Sequence, residues 1–222
     1  MEAPNPLKVL IFANGEVGDG LLVRQVLASA PQATVIAADG GLRVAQFYGR
    51  PVHTLIGDMD SLTDAEMAAV IEQGAVVQRY PPEKDETDLE LAFRWAAQQQ
   101  ATWIRVLGAI GGRLDQTLSN VYLLALPELA GRDVRLVAGQ QEAWLIYPGE
   151  SVIRGAAGDT VSLIPISGLV RGVRTGNLYD PLRDETLSFG PARGISNVMQ
   201  GDTAHVWTQD GILLVIHTLG RA

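Results

Sequence analysis

Two short acidic segments have the residue types and spacing of a site that binds a metal ion and phosphate. Residues 57–61 read GDMDS and residues 84–88 read KDETD. Carboxylates this close together repel one another unless a cation lies among them, and a hard cation such as Mg²⁺ prefers oxygen ligands. In an extended segment, Asp58 and Asp60 project to the same side and can reach one metal ion. Together with Asp85 and Asp88, they predict a metal site.

Each acidic segment lies between the end of a predicted strand and the start of a predicted helix. Strand-like and helix-like patterns alternate from residue 8 to about residue 139, which predicts an α/β domain with a mostly parallel, Rossmann-like sheet. Ligands bind such sheets at the carboxyl ends of the strands. Polar loops follow five successive predicted strands, at residues 13–16, 38–41, 57–61, 84–88 and 108–115. We therefore expect these loops to meet in one crevice.

Two of the predicted helices begin with capping-box sequences. Thr63 is followed by Glu66, and Thr87 by Glu90, at the spacing that lets the two side chains cap the helix reciprocally. This pattern also supplies the alternative for the acidic residues. They could be ordinary turn residues, or carboxylates favoured by the dipole at a helix start. The convergence of four acids on one sheet edge favours the metal site.

Two cations accompany the acids. Lys84 lies among them and could reach a phosphate oxygen beside a metal ion, although a surface pair with Asp85 or Glu86 is the simpler alternative. Arg113 follows two glycines at a predicted helix start, where backbone N–H groups favour anions. Its guanidinium can grip phosphate with two hydrogen bonds, or it can simply be solvated.

The pattern changes after residue 139. Short apolar stretches alternate with turn residues, and helical periodicity disappears, which is typical of an antiparallel sandwich or barrel. We therefore predict two domains, at residues 1–140 and 141–222. The three histidines, His53, His205 and His217, are isolated in the sequence, and we interpret them as packing or surface residues.

Composition narrows the class of protein. The chain has 222 residues with 47% hydrophobic content, which predicts a globular protein with a substantial core. The net charge of -8 argues against nucleic acid as a partner, and the absence of cysteine excludes disulfides and thiolate metal sites. No apolar run approaches the roughly 18 residues that span a bilayer, and residues 1–6 do not resemble a signal peptide. We expect a cytoplasmic protein that does not contact membranes.

Glycines near the N-terminus suggest a competing function. Gly15, Gly18 and Gly20 invite comparison with a dinucleotide-binding fingerprint, but their order is reversed. Asp39 ends the second predicted strand, where such enzymes often hold a ribose-binding acid. An NAD-dependent oxidoreductase is therefore one alternative, although it leaves the acids of residues 57–61 and 84–88 unexplained.

The motifs at residues 39–41, 57–61, 81–90 and 108–120 resemble those of the thiamine pyrophosphokinase family in order and spacing. The resemblance spans essentially the whole chain, from Asn14-Gly15 in the first loop to Ser196-Asn197 near the end. It implies an α/β domain that binds ATP and Mg²⁺, followed by a β-sandwich that contributes to thiamine binding and dimerisation. It also implies a homodimer in which thiamine lies between domains of the two subunits.

The family transfers the β,γ-diphosphate of ATP to the hydroxyl of thiamine and releases AMP. The resemblance assigns the following roles by position. Mg²⁺ and the phosphates would be held by Asp58, Asp60, Asp85 and Asp88, with Asp115 completing the catalytic carboxylates. The ATP site would include Asn14, Asp39, Gly40, Lys84, Thr87, Arg113, Gln116 and Asn120. Thiamine would contact Tyr179, Ser196 and Asn197.

This chain departs from the family pattern at two positions. Tyr179 stands where many members have a tryptophan, and Gln116 stands where bacterial members commonly have a histidine. No imidazole is therefore expected to act at position 116. Besides the oxidoreductase, a second alternative is a non-catalytic sensor that binds the nucleotide and thiamine without turnover.

Overall fold

The computed structural model describes residues 7–221, so the signal-peptide prediction for residues 1–6 lies outside the described residues. The chain divides into two compact units, with the division between Gly139 and Gln140. Within the described residues, no helix is both long enough and apolar enough to cross a membrane.

In the described part of the first unit, six strands alternate with α-helices. The strands are β1 (Lys8–Phe12), β2 (Thr34–Ala38), β3 (Thr54–Gly57), β4 (Val76–Arg79), β5 (Trp103–Leu107) and β6 (Asp133–Ala138). The helices are α1 (Leu21–Ser29), α2 (Gly41–Phe47), α3 (Asp64–Glu72), α4 (Asp88–Gln98) and α5 (Leu114–Leu123). All neighbouring strands of this unit are parallel, in the order β6-β5-β1-β2-β3-β4. The predicted sheet with helices is confirmed.

The central strands are apolar along their whole length because both faces of the sheet are covered. β1 reads KVLIF, and its last four residues are buried. The chain reverses the direction of strand addition at β1, which pairs with β2 on one side and β5 on the other. Such a reversal leaves a crevice at the carboxyl ends of the two strands, where α/β proteins bind ligands.

The helix ends follow local sequence rules, with two differences from prediction. The Thr63–Glu66 capping box forms completely at α3. At α4 only half of the predicted box forms: Thr87 accepts from the Glu90 N–H, whereas the Glu90 carboxylate accepts from Arg94 four residues later. The helix predicted over residues 114–126 ends at Leu123, and a 3₁₀ turn, Pro127–Leu129, follows it. The residue before a proline is driven out of the helical region, which explains the earlier end.

The described residues of the second unit form antiparallel strands, as predicted. They are β7 (Gln141–Ile146), β8 (Gly149–Arg154), β9 (Thr160–Pro165), β10 (Leu169–Gly176), β11 (Arg183–Ser188), β12 (Asn197–Val198), β13 (Thr203–Thr208) and β14 (Leu213–Thr218). One group pairs in the order β12-β9-β14-β7 and the other in the order β11-β10-β13-β8. Alternate residues of both groups face one buried cluster that includes Ile153, Val173 and Val215. The two-residue strand β12 was not predicted.

A buried charged cluster in this unit corrects the interpretation of His217. Its side chain is 3% exposed, its Nε2 lies 2.9 Å from Asp159 Oδ2, and its Nδ1 lies 3.4 Å from Glu142 Oε1. Burial alone would lower the pKa of His217, but the two carboxylates raise it above its ordinary value of 6.5. The imidazole of His217 therefore lies between two buried acids that favour its charged form, and His217 is neither a simple packing residue nor a surface residue.

We expect the His217→Gln substitution to destabilise the protein by about 3–5 kcal/mol near pH 5.5, because it removes a cationic partner from two buried carboxylates. A raised folded-state pKa means that the stabilisation by His217 is complete below the unfolded value of 6.5 and is lost as the pH rises through the folded value. The cost of the substitution should therefore shrink near pH 9. Urea unfolding at both pH values measures this difference.

The matched control is His205→Gln, because His205 pairs with Glu150 at 3.1 Å on the surface. We expect it to cost less than about 1 kcal/mol at either pH. Equal effects of the two substitutions would contradict a special role for the buried cluster.

Candidate functional site

A cavity of about 540 Å³ opens at the carboxyl ends of the first unit's strands, at the crevice between β1 and β5. Its walls come from the loops after β1, β2 and β5 and from the segment that leads into α4. The lining residues are Ala13, Asn14, Gly15, Glu16, Ala38, Asp39, Lys84, Glu86, Thr87, Asp88, Leu89, Gly108, Ala109, Gly111, Gly112, Arg113, Gln116 and Asn120. Four of the five predicted loops therefore meet here, whereas the loop at residues 57–61 contributes no lining residue and is linked to the cavity wall through the Asp58–Lys84 pair.

Glycines let these loops approach one another closely. The Gly15 N–H donates to Gly108 O at 2.8 Å, and a Cβ on Gly15 would lie only 2.3 Å from that oxygen. Gly57 ends β3 with a φ of 148°, and a Cβ there would lie 3.1 Å from Asp39 and from Asp88. Gly57 therefore allows these two acids to pack on either side of the β3 end.

Asp39, Asp58 and Asp60 form a compact carboxylate group. One oxygen from each lies within 4.8 Å of the others. Asp39 is only 5% exposed, and its Oδ1 has no hydrogen-bond partner among the described residues. A buried carboxylate oxygen without a partner is costly, so a ligand is expected to satisfy it. An all-oxygen donor set with this charge fits a hard divalent cation such as Mg²⁺.

The loop places Asp58 and Asp60 together by a different route from the one predicted. The segment is not extended: Met59 is in the left-handed region with a φ of 69°, and the Asp60 N–H donates to Asp58 Oδ1 at 3.1 Å. A turn, rather than strand alternation, therefore directs both carboxylates towards Asp39.

Lys84 lies between two carboxylates. Its Nζ is 3.2 Å from Asp58 Oδ2 and 3.0 Å from Asp88 Oδ1, and its side chain is 10% exposed. Burial opposes the charge of Lys84, but the two acids raise its pKa overall. Burial raises the pKa of Asp88 despite this cation, whereas the Asp60 N–H, with Lys84, lowers the pKa of Asp58. The ammonium group thus remains charged at the cavity wall, where it can meet a phosphate.

A clamp that was not predicted fixes the loop at residues 57–61. Arg43 of α2 donates to Ser61 O at 2.8 Å and to both carboxylate oxygens of Glu66. Arg43 and the capping contacts to Thr63 lower the pKa of Glu66 to about 2. The acidic loop is therefore tied to the starts of α2 and α3.

The start of α5 supplies another part of the cavity wall. Arg113 and Asp115 are exposed and paired with each other, and that guanidinium lowers the pKa of Asp115. Gln116 lines the cavity, and the buried Asn120 donates to Ala109 O at 2.8 Å. Asn120 thus holds the loop after β5 in place. The charged pair Arg113–Asp115 lies at the rim, where an anion can compete for the guanidinium.

Of the remaining predicted residues of the first unit, some lie at the cavity and one does not. Asn14 packs against Gly40, and Thr87 lines the cavity while it caps α4. Asp85 is exposed and, within residues 7–221, belongs neither to the carboxylate group nor to the cavity lining.

Two acids of the cavity wall were missed by sequence reasoning. Glu16 accepts from the Gly112 N–H at 2.9 Å, and Glu86 lines the same space. Glu16 lies in the first polar loop and Glu86 in the second acidic segment, so their positions in the sequence were an available signal.

The three residues predicted to contact thiamine lie in the second unit. Tyr179 is 70% exposed, and Ser196 is exposed with a left-handed φ of 58°. Asn197 is different, because it is only 6% exposed and its amide bonds to the backbone of Asp180. Of the three residues, Tyr179 and Ser196 are therefore exposed and Asn197 is buried.

Comparisons with known proteins give the same result for both units of the chain. Two family models match, one described as the thiamin pyrophosphokinase catalytic domain over residues 25–136 and one as its vitamin B1 binding domain over residues 150–213. Thiamine pyrophosphokinase of Bacillus subtilis (strain 168) is 28% identical over 188 residues, which are 84% of each chain.

Solved structures show the same relationship. The Bacillus subtilis thiamine pyrophosphokinase structure has a TM-score of 0.84 at 26% identity, covering 96% of this chain and 99% of that chain. The Geobacillus thermodenitrificans structure has a TM-score of 0.81 at 27% identity, covering 96% and 97%. The chain belongs to the thiamine pyrophosphokinase family.

Proposed function

We propose that this protein transfers the diphosphate group of ATP to the hydroxyl of thiamine, giving thiamine diphosphate and AMP. The observation that carries the proposal is the group formed by Asp39, Asp58 and Asp60, which adjoins the cavity because Asp39 lines it and because Asp58 pairs with the lining residue Lys84. Metal-binding carboxylates next to a charged lysine are what phosphoryl transfer requires, because the chemistry depends on positioning and charge neutralisation. The family membership supplies the two substrates.

In this proposal ATP occupies the cavity between the loops after β1, β2 and β5. Lys84 and Arg113 both line this cavity and would face its phosphates. The phosphates also meet the N-terminal ends of α4 and α5, where backbone N–H groups favour negative charge. Asn14, Gly40, Gln116 and Asn120 shape the space around the nucleotide.

Mg²⁺ is the cation that fits the carboxylate group best. Asp39, Asp58 and Asp60 would hold it, and Asp88 lies on the other side of Lys84. When bound, the ion would polarise the diphosphate and offset the charge that develops on the departing AMP. The part that Asp85 plays in metal binding remains a prediction from the resemblance.

The reaction forms one bond and breaks another at the β-phosphorus of ATP. The thiamine hydroxyl oxygen bonds to that phosphorus, and the bond from it to the oxygen of the leaving AMP breaks in line. The hydroxyl proton goes to a nearby carboxylate, for which Asp60 and Asp115 are the candidates. While it is paired with Arg113, Asp115 is a poor proton acceptor, because that guanidinium lowers the pKa of its carboxyl.

Thiamine has a permanently cationic ring, which the acids of the site attract. We propose that Tyr179 and Ser196 contact it in a homodimer whose two subunits together complete the thiamine site. The finer predictions from the sequence also remain proposals: a Rossmann-like first domain, a sandwich as the second, and a cytoplasmic location. Neither the NAD-dependent oxidoreductase nor the non-catalytic sensor is favoured by the comparisons.

The decisive measurement is a product assay with ATP, Mg²⁺ and thiamine. We expect thiamine diphosphate and AMP to accumulate in equal amounts, because one displacement releases both. Formation of ADP and thiamine monophosphate would show transfer of a single phosphate and would contradict the proposal. Tight binding of both substrates without AMP release would support the sensor instead, and a thermal shift with NAD but not with Mg-ATP would support the oxidoreductase.

A further inference from the structure

We propose that Asn197 does not contact thiamine but positions the loop that presents Tyr179. This inference rests on the proposed function, because it assigns parts within the thiamine site. It starts from an asymmetry between neighbours: Ser196 is exposed, whereas Asn197 is 6% exposed. The left-handed φ of 58° at Ser196 separates the directions of the two side chains.

The amide of Asn197 is already engaged by backbone groups. Its Oδ1 accepts from the Asp180 N–H at 3.0 Å and from the Val198 N–H at 2.9 Å, and its Nδ2 donates to Asp180 O at 2.6 Å. Both lone-pair positions of the oxygen are therefore used, and both backbone groups of Asp180 are satisfied. This amide pairs with the loop as a neighbouring strand would.

The loop needs such a contact because it has little else at its centre. Leu178 and Leu182 are each 2% exposed and anchor its two ends, while residues 179–181 between them are exposed. The Tyr179 N–H donates to Val198 O at 2.9 Å, which places the backbone of Tyr179 beside β12. Asn197 therefore fixes the segment that carries the exposed ring of Tyr179, and Tyr179 and Ser196 are left to meet the substrate.

A double-mutant cycle on the thiamine KM tests this assignment. We expect Tyr179→Ala and Asn197→Ala each to raise the KM for thiamine roughly tenfold, the scale of a lost aromatic stack, with the KM for ATP nearly unchanged. Because Asn197 acts through Tyr179, the double variant should be no worse than Tyr179→Ala alone. A multiplied effect of about 100-fold in the double variant would overturn the proposal, since independent contacts add in free energy.

Hydrogen exchange gives a second readout that does not depend on turnover. In Asn197→Ala the amides of Tyr179 and Asp180 should exchange faster than in the wild type, and unchanged protection would overturn the proposal. If the wild type formed no thiamine diphosphate, the proposed function would be wrong. The hydrogen-exchange measurement would still show whether Asn197 positions the loop.

Two further variants guard against a folding defect. Asn197→Asp keeps the two acceptor contacts but sets a carboxylate against Asp180 O, so it should show the same KM pattern at least as strongly as Asn197→Ala. Asn177→Asp is the matched control, because Asn177 is exposed in the same loop and donates to Thr203 O. We expect its thiamine KM to stay within about twofold of the wild type, and an effect as large as that of Asn197→Asp would overturn the proposal.

Discussion

The Asp60→Asn variant is expected to form thiamine diphosphate about 10²–10³-fold more slowly than the wild type, with its fold intact. Asp60 is exposed and accepts a hydrogen bond from Ser61 Oγ at 3.2 Å, so asparagine fits the same space. The substitution removes one of the negative charges that Asp39, Asp58 and Asp60 direct at one point. The measurement is kcat at saturating ATP and thiamine, followed by AMP release, alongside the melting temperature.

Asp64→Asn is the matched control for this charge. Asp64 is equally exposed, only four residues away, and lies in the first turn of α3 outside the carboxylate group. We expect its kcat to stay within about twofold of the wild type, as for ordinary surface substitutions. The Mg²⁺ concentration for half-maximal activity should rise in Asp60→Asn and not in Asp64→Asn. Identical metal dependence in the two variants would remove Asp60 from the metal site.

The Asp85→Asn substitution tests whether Asp85 belongs to the metal site. The family pattern includes Asp85 among the metal ligands, whereas the geometry puts Asp39 in the group and leaves Asp85 exposed. We therefore expect Asp85→Asn to resemble the Asp64 control more than Asp60→Asn. A loss of kcat as large as that of Asp60→Asn would show that Asp85 belongs to the metal site.

Much of the fold was predictable because buried parallel strands leave a strong local signal. A strand covered on both faces must be apolar throughout, so Lys8–Phe12 was found to the residue. Helix starts were found where the capping chemistry is local, as at Thr63. Asn197–Val198 was missed because two residues carry no periodicity, and this strand exists only through pairing with β9.

The location of the site in the fold was predictable from the sequence, but the contacts between its residues were not. Loops at strand ends must converge, so the position of the acids could be inferred. Which acids meet depends on strand register and backbone turns: Asp39 reaches Asp58 because β2 pairs with β3 and because its own φ is 45°. His217 meets Asp159, 58 residues away, through pairing of strands that no local pattern specifies. Burial of Asn197 is likewise a tertiary outcome, invisible in the Ser-Asn motif.

Lys84→Met is expected to lower kcat by roughly 10²–10³-fold and to raise the KM for ATP, because it removes the cation of the cavity wall that we propose faces the phosphates. Methionine has nearly the same length, so packing is preserved while the charge is lost. Asp58 and Asp88 then face each other without the ammonium that lies 3.2 and 3.0 Å from them. Stability should fall by about 3 kcal/mol as well, the scale of an unpaired buried charge. Steady-state kinetics and urea unfolding measure the two effects separately.

A second substitution distinguishes a catalytic lysine from a merely structural one. In Lys84→Met/Asp88→Asn one of the two opposed charges is removed, so the repulsion that Lys84→Met creates is relieved and stability should return towards the wild type. Activity should remain low, because no cation has been restored to the cavity wall. Lys84→Arg, which keeps the charge, should retain more activity than either variant, although its planar guanidinium cannot reproduce the two contacts of the ammonium group. If the double variant recovered both stability and turnover, the role of Lys84 would be limited to offsetting the repulsion between Asp58 and Asp88. Arg113 and the helix N-termini would then have to bind the phosphates without it.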